Sequence, residues 1–502
     1  MTFLQTLELD KRATISQWLW LPIYVTIVSA TIFLAFSHWA YDDPFITYRY
    51  AYNLTHGLGF VYNPGEKVLS TTTPLFTVLL AGLSLLWGNL PRLANLISAT
   101  SLAIGAIFLW DLAHTWKQPL VGWVGLLLYP TFSFLLTTTG SETPLYLMFC
   151  LGAFAFYARR RYTWTASFAA LAILTRPDGI LVPAILAAHF LFFEYLPDRS
   201  QRSIPWVSLI VFFVLTLPWF IFAWRYFGSP LPVTLAAKQH QGAMADSQRF
   251  VAGFIALVKE YATNWLYLFE FGLAFIGLIF LVRRARPFGL LISWVIVYFA
   301  AYAALGVSGY YWYYAPLVPG FVVLVGLGVA AIKEGGDRLQ SRQIPASEPH
   351  LSAGRYSSVL TIALIAVLTI SQFNLFLQVR KYTDNRVKIY RSVGNWLREN
   401  SDPDATVGSL EIGVIGYYAH RPMIDFAGLL YPKVADKLTA NSSYAVTAKW
   451  VAEHMRPDYF VLQDGSFGGL EQGYIARHCE REKTFPGKLY GYALNLQVYK
   501  CR

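Results

Sequence analysis

Apolar runs recur along almost the whole chain, separated by short polar links, and most are close to the roughly 20 residues an α-helix needs to cross a hydrocarbon core. A chain built this way can satisfy its backbone in lipid only as a bundle of membrane helices. The balance of 55% hydrophobic to 14% charged residues agrees, because it lies outside the globular norm. The first run, Trp18 to Phe36, follows Lys11 and Arg12 and has no small-residue cleavage site, so it reads as an uncleaved first helix with a cytoplasmic amino end.

Topology turns on Leu75 to Trp87, which at the helical rise is about 20 Å long against a core of about 30 Å. Read as a helix that does not cross, it leaves eleven spans near 18–38, 92–111, 120–137, 143–158, 163–175, 179–195, 204–223, 261–282, 288–305, 315–332 and 357–377. Lys117, Arg159 to Arg161, Arg199, Arg202, Arg283, Arg284, Arg286, Lys333, Arg338, Arg342 and Arg355 then face the cytoplasm, as the positive-inside rule asks. The opposite side collects the unusual loops. These are Trp39 to Pro74, Thr137 to Pro144, Thr175 to Gly179, Trp224 to Glu260 and Gly306 to Pro319.

From Arg380 onward no apolar run is long enough to span, and charges become frequent. The chain therefore divides into a membrane part, 1–379, with a first outer loop at 39–91, and an outer α/β domain, 380–502. Within the outer domain the spacing predicts helices over 385–400 and 445–454. Strands are predicted over 406–415 and 459–463, with a terminal strand or hairpin over 488–499. Gly408, Gly413 and Gly416 lack the spacing of a nucleotide fingerprint, and no helix is expected to open after them. Three cysteines exclude a disulfide scaffold or a thiolate metal site, and nothing points to nucleic acid. Cys479 and Cys501 flank a turn at Phe485 to Gly487 that brings Glu482 level with Tyr499. A bridge between the cysteines would restrict the unfolded tail by on the order of 3 kcal/mol.

The first loop carries the densest chemistry. Asp42 and Asp43 stand side by side at the mouth of the first helix, where mutual repulsion raises one pKa and suits a general base, or where the pair shares a cation. A helix-end cap is the alternative. Tyr41, Tyr48, Tyr50, Tyr52, Tyr62 and Trp39 offer faces that stack on sugar rings or form an interfacial aromatic belt.

The run DDPFITYRYAYNLTHGLGFVYNPGEKVLSTTTPLFTVLLA, followed in order by TGSETPLY, LTRPDG, FGSPLPVTLAAK and YYWYYAPLVP, resembles the GT-C membrane glycosyltransferases that use polyprenyl-phosphate sugars. Within them it is most similar to the bacterial branch containing arabinofuranosyltransferases. The resemblance implies an extracytoplasmic active site in a bacterial plasma membrane. Its donor is a polyprenyl-phosphate sugar, and its acceptor a cell-envelope glycan, lipid or protein. The family's acidic pair falls on Asp42 and Asp43, the first being the expected base. Its second acidic position falls on Glu142, which would hold acceptor or metal but which also suits a cap for the helix at Pro144.

A polyprenyl phosphate leaving group needs cations, and Arg176, Lys238, Arg49 and His56 are the candidates, with His240 a further histidine in reach. Arg176 has a rival role as a structural partner of Asp178, and Lys238 as a solvated loop lysine. Tyr48, Tyr311, Trp312 and Tyr314 are the expected stacking surfaces for sugar or lipid. A Mg²⁺ or Mn²⁺ on Asp42, Asp43 and Glu142 is compatible with the resemblance and not required by it. A transporter or lipid-linked-sugar flippase is the alternative class, but it would place polar groups at mid-membrane, where Glu270 is the main one.

The charge count makes a direct prediction. A cysteine introduced at Ser352 should react only with reagent on the cytoplasmic side and one at Ser442 only from outside; the reverse pattern would mean that 75–87 crosses.

Overall fold

A computed structural model describes residues 15–198, 203–244, 247–343 and 355–502. Lys11, Arg12, Arg199, Arg202 and Ser352, on which part of the topology rests, lie outside these residues, as do the side chains of Arg342 and Arg355. The membrane part runs through α1 (Ile15–Phe36), α2 (Pro44–Thr55), α3 (Pro74–Ser84), α4 (Leu90–Thr115), α5 (Pro119–Thr131), α6 (Ser133–Leu136), α7 (Thr143–Ala158) and α8 (Tyr162–Thr175). It continues through α9 (Leu181–His189), α10 (Trp206–Phe227), α11 (Thr234–Ala243), α12 (Phe250–Tyr261), α13 (Trp265–Arg284), α14 (Gly289–Leu305), α15 (Val318–Gln343) and α16 (Arg355–Lys381). Helices α2, α3, α4, α5 and α7 carry proline in the first turn, where its missing N–H costs nothing.

Every expected span coincides with helix. Among the described residues seven helical stretches are long and apolar enough to cross a membrane; Trp20–Phe36, Pro119–Thr131, Thr143–Ala158 and Tyr162–Thr175 are apolar but shorter. The chain is a multi-pass membrane protein, and the number of crossings is not set by helix length alone. The expected span 120–137 breaks at Phe132, which is extended just after Pro130. Helix α3 has 11 residues, too few to cross. Helices α13 and α15 approach closely because Gly277 and Gly328 each press on a backbone carbonyl of the facing helix. Glu270, buried on α13, accepts a hydrogen bond from the Gln372 amide of α16 at 2.6 Å, so this mid-helix carboxyl ties two helices together.

The C-terminal domain, the expected outer domain, comprises α17 (Asn385–Asn400), β1 (Val407–Ser409), α18 (Gly413–Ala419), β2 (Met423–Asp425), α19 (Pro432–Ala435), α20 (Tyr444–His454), β3 (Tyr459–Gln463), β4 (Cys479–Phe485) and β5 (Leu496–Cys501). The sheet order is β2-β1-β3-β5-β4, parallel across β2, β1 and β3 and antiparallel from β3 through β5 to β4. Side chains alternate between its faces. Phe460 and Leu462 meet Val451 and Ala452 of α20, whereas Tyr459 and Val461 belong to a core that includes α17, α18 and first-loop residues Phe45, Tyr50 and Tyr62. The outer domain therefore shares one of its two apolar cores with the first loop.

Two expectations are corrected. The strand predicted over 406–415 stops at Ser409, and a helix does open at Gly413. The reason is a remote partner. Asp42 accepts hydrogen bonds from the backbone N–H groups of Gly413 at 2.9 Å and Val414 at 2.8 Å, satisfying donors that the first turn of a helix leaves free. Only glycine fits at 413, because a Cβ there would collide with the Asp42 backbone and its Oδ2. The second concerns the hairpin: Tyr499 stands opposite Arg481, and Glu482 falls in an irregularity of the ladder. Cys479 lies opposite Cys501, and the two form a disulfide.

The same seam is bolted at three more points. Arg49 donates to the carbonyls of Tyr62, Gly416 and Arg421, the last at 2.9 Å. Tyr62 donates its hydroxyl to Ile412 O at 2.7 Å. Asn63 both donates to Met423 O and accepts from Met423 N, each at 2.9 Å.

Asp42→Asn retains the shape but faces one of the two N–H groups with an amide that cannot accept, and should destabilise the docked domain by about 1–3 kcal/mol. Arg49→Met, which removes three buried hydrogen bonds at once, should do at least as much. Limited proteolysis near 381–385 and thermal melting read both, and unchanged stability in both variants would mean that the seam is held by apolar contact alone. In unreduced protein, Cys479 and Cys501 should resist alkylation until reductant is added, as checked by intact mass.

Candidate active site

Asp42 and Asp43 are adjacent in sequence and opposite in environment. Asp42 is 7% exposed, with both carboxylate oxygens occupied by the α18 backbone. Burial chiefly, and then the Asp43 charge, push its pKa up to about 6 against the pull of the Val414 and Gly413 N–H groups. Asp43 keeps 37% of its side chain exposed and points Oδ2 at Lys238 Nζ, 3.6 Å away.

Lys238 sits on α11, which is anchored at both ends. Val233 N donates to Leu69 O at 3.0 Å, and Gln241 donates to Ala427 O at 3.2 Å while accepting from Tyr310 at 2.9 Å. Its ammonium lies 3.9 Å from the Tyr310 ring centre and 5.9 Å from that of Trp312. Burial works against the charge, but Asp43 and the surrounding tyrosines outweigh it, so the lysine pKa is raised and the side chain stays cationic.

An aromatic wall closes this end of the cleft. Trp312 stacks on Tyr310 with ring centres 4.7 Å apart and on Tyr41 at 5.5 Å, and Tyr311 packs against both Tyr41 and Trp312, at 5.7 and 5.1 Å. The tight 311–317 turn that presents them runs directly into α15.

Glu142 and Arg176 form a second cluster deeper in. Arg176 is gripped by Asp178 at 2.7 Å, receives Glu142 at 3.3 Å, and donates to the Tyr302 hydroxyl at 3.1 Å. Glu142 makes no capping bond to α7 and instead faces this arginine. Burial raises its pKa, Arg176 opposes the rise, and the charges of Asp178 and Asp43 add to it.

Several expected site residues lie elsewhere. Arg49 is 2% exposed and each of its three guanidinium nitrogens donates to a backbone carbonyl, so it is a structural clamp and does not stand open to a phosphate. His56 is exposed at the C-terminal end of α2, bonded to Tyr52 O at 2.8 Å and stacked on the Tyr52 ring. Tyr48 and Tyr314 are buried, with hydroxyls donated to the carbonyls of Gly140 and Phe250, so neither offers a face to a sugar. The Asp42, Asp43 and Glu142 set does not fit a metal. One carboxylate is saturated by N–H groups and the others each face a cation. Among the described residues no group of three or more His, Cys, Asp or Glu is arranged to hold one.

The cleft also contains residues that sequence reasoning passed over. Tyr310 of the 306–319 loop lies against Lys238, and the charges or dipoles of Glu411, Arg386 and Tyr444 from the outer domain act on Asp42 and Lys238. The available signal for Glu411 was a lone carboxylate inside the apolar run from Leu410 to Ile415.

No curated protein matches the chain in sequence. Residues 378–499 match a family described as Domain of unknown function (DUF8728). Among solved structures, ArnT from Cupriavidus metallidurans bound to undecaprenyl phosphate superposes with a TM-score of 0.60 at 14% identity, covering 96% of this chain and 98% of that one. The oligosaccharyltransferase AglB from Archaeoglobus fulgidus, in complex with an inhibitory peptide and a dolichol-phosphate, gives a TM-score of 0.61 at 14% identity over 96% of this chain and 74% of its own. A second structure of the Archaeoglobus enzyme, tethered to an acceptor peptide, gives 0.59 at 14% identity over 88% and 69%. With 96% of its length covered in both the ArnT and AglB superpositions, the chain has the GT-C fold.

Proposed function

We propose that the protein is a membrane glycosyltransferase that moves a sugar from a polyprenyl phosphate to a hydroxyl of an acceptor in the cell envelope, with Asp43 rather than Asp42 as general base. The observation that carries this is the division within the acidic pair. Asp43 alone has oxygens open to a substrate, and a cation and an aromatic wall stand beside it. The ArnT and AglB structures, with a polyprenyl or dolichyl phosphate in the same fold, support a lipid-linked donor.

The chemistry follows from these groups. Asp43 takes the proton from the acceptor hydroxyl as its oxygen bonds to the anomeric carbon, and the bond from that carbon to the phosphate oxygen breaks. Lys238 is the cation placed to meet the charge growing on the departing phosphate. Arg176 is bound to Asp178 and Glu142, and serves to shape the inner end of the cleft. Trp312, Tyr310 and Tyr311 provide the flat faces against which a sugar ring packs. The site faces away from the cytoplasm, in keeping with the loop charges.

Asp43→Asn should lower transfer by about 10²–10⁴-fold without a change in melting temperature. The assay offers purified protein a panel of polyprenyl-phosphate sugars with membrane acceptor extract and measures release of free polyprenyl phosphate. Full turnover by Asp43→Asn, with loss in a well-folded Asp42→Asn, would return the base to Asp42.

A further inference from the structure

The outer domain belongs to a family without an assigned role, and its architecture here brings one poorly compensated carboxyl to the cleft. Glu411 follows β1 and directly precedes the segment clamped to the first loop. Its own carbonyl accepts from Ser409 Oγ at 3.2 Å, the next carbonyl, of Ile412, is held by Tyr62, and Gly413 is held by Asp42. The backbone on which it sits is therefore fixed relative to Asp43. Its side chain is 29% exposed, and its nearest cation, Arg386, is 3.9 Å away and already engaged by Asp384 through hydrogen bonds of 3.0 and 2.8 Å.

We propose that Glu411 binds the acceptor, its carboxyl donating a hydrogen bond to an acceptor hydroxyl beside the one that Asp43 deprotonates. The acceptor class this selects is a polyol such as a glycan, with a second hydroxyl close to the reacting one. The proposal rests on the transferase reading of the Asp43 cleft, and it gives the outer domain a role as the acceptor side of the site.

The groups facing Glu411 are Asp42 and Asp43 from the first loop, Lys238 from α11, Arg386 and Tyr390 from α17, Tyr310 from the 306–319 loop and Tyr444 from α20. Burial and then the Asp42 charge push its pKa up to about 8, against Arg386 and Lys238. Below that pH the carboxyl is neutral and can donate. As pH rises through 8 it ionises, loses its donor and repels Asp43, so acceptor binding weakens with rising pH.

The test is steady-state kinetics of the full-length protein with a transferred donor and a glycan acceptor from the panel. Glu411→Ala should raise the acceptor KM about tenfold while kcat, the donor KM and the melting temperature hold. Glu411→Gln, a permanent donor of similar shape, should match the parent at pH 7 and keep its acceptor KM from pH 7 to 9, where the parent's rises. An unchanged acceptor KM in Glu411→Ala, or a pH profile of Glu411→Gln identical to the parent's, overturns the proposal. If the parent turns over no donor in the panel, the transferase reading falls and this inference falls with it; turnover with an unmoved acceptor KM overturns Glu411 alone.

Discussion

The carboxylate of Asp42 between the first loop and the outer domain is the contact on which the rest of the outer half depends. It begins α18, demands glycine at 413, and holds Glu411 and the α18 turn against α2. A charge buried this deeply is tolerable only because two backbone N–H groups receive it, and those N–H groups would otherwise be unsatisfied in a buried turn. Each side of the seam needs the other. Arg49 shows the same reciprocity with opposite sign, since its guanidinium is buried and meets carbonyls at the far end of α18.

Because Asp42 is consumed in this way, its neighbour is left to face the cleft. Adjacent residues at the start of a helix point in different directions, and here one meets the outer domain while the other meets Lys238. The electrostatics of the cleft then follow from proximity. Asp43 raises the pKa of Lys238, burial and Asp42 raise that of Glu411, and Arg176 is neutralised within its own cluster. The result is one open carboxylate and one cation 3.6 Å apart, with an aromatic surface alongside.

The likeness to ArnT and AglB, at 14% identity, lies in the arrangement of helices and outer loops and extends over 96% of the chain. Chains this distant share the fold alone. What each does there is set by the side chains it brings. In this protein the contribution of the outer domain is narrow in number, with Glu411, Arg386 and Tyr444 at the cleft, and broad in contact, through a core shared with the first loop.

The membrane helices and the short α3 were legible in the sequence, because hydropathy and helix length are local properties. So were Tyr459–Gln463 and Asn385–Asn400, whose apolar spacing is unambiguous. Residue roles were not. Arg49 reads as a phosphate ligand until three carbonyls, two of them some 370 residues away, are brought to it, and α18 reads as strand until Asp42 caps it from a similar distance. Tyr48 and Tyr314 looked like stacking faces and are core, while Tyr310 was overlooked and lies directly against Lys238. Burial and hydrogen-bond partners are pairwise properties of distant segments, so a side chain's chemistry was decided only when tertiary packing chose what stands beside it.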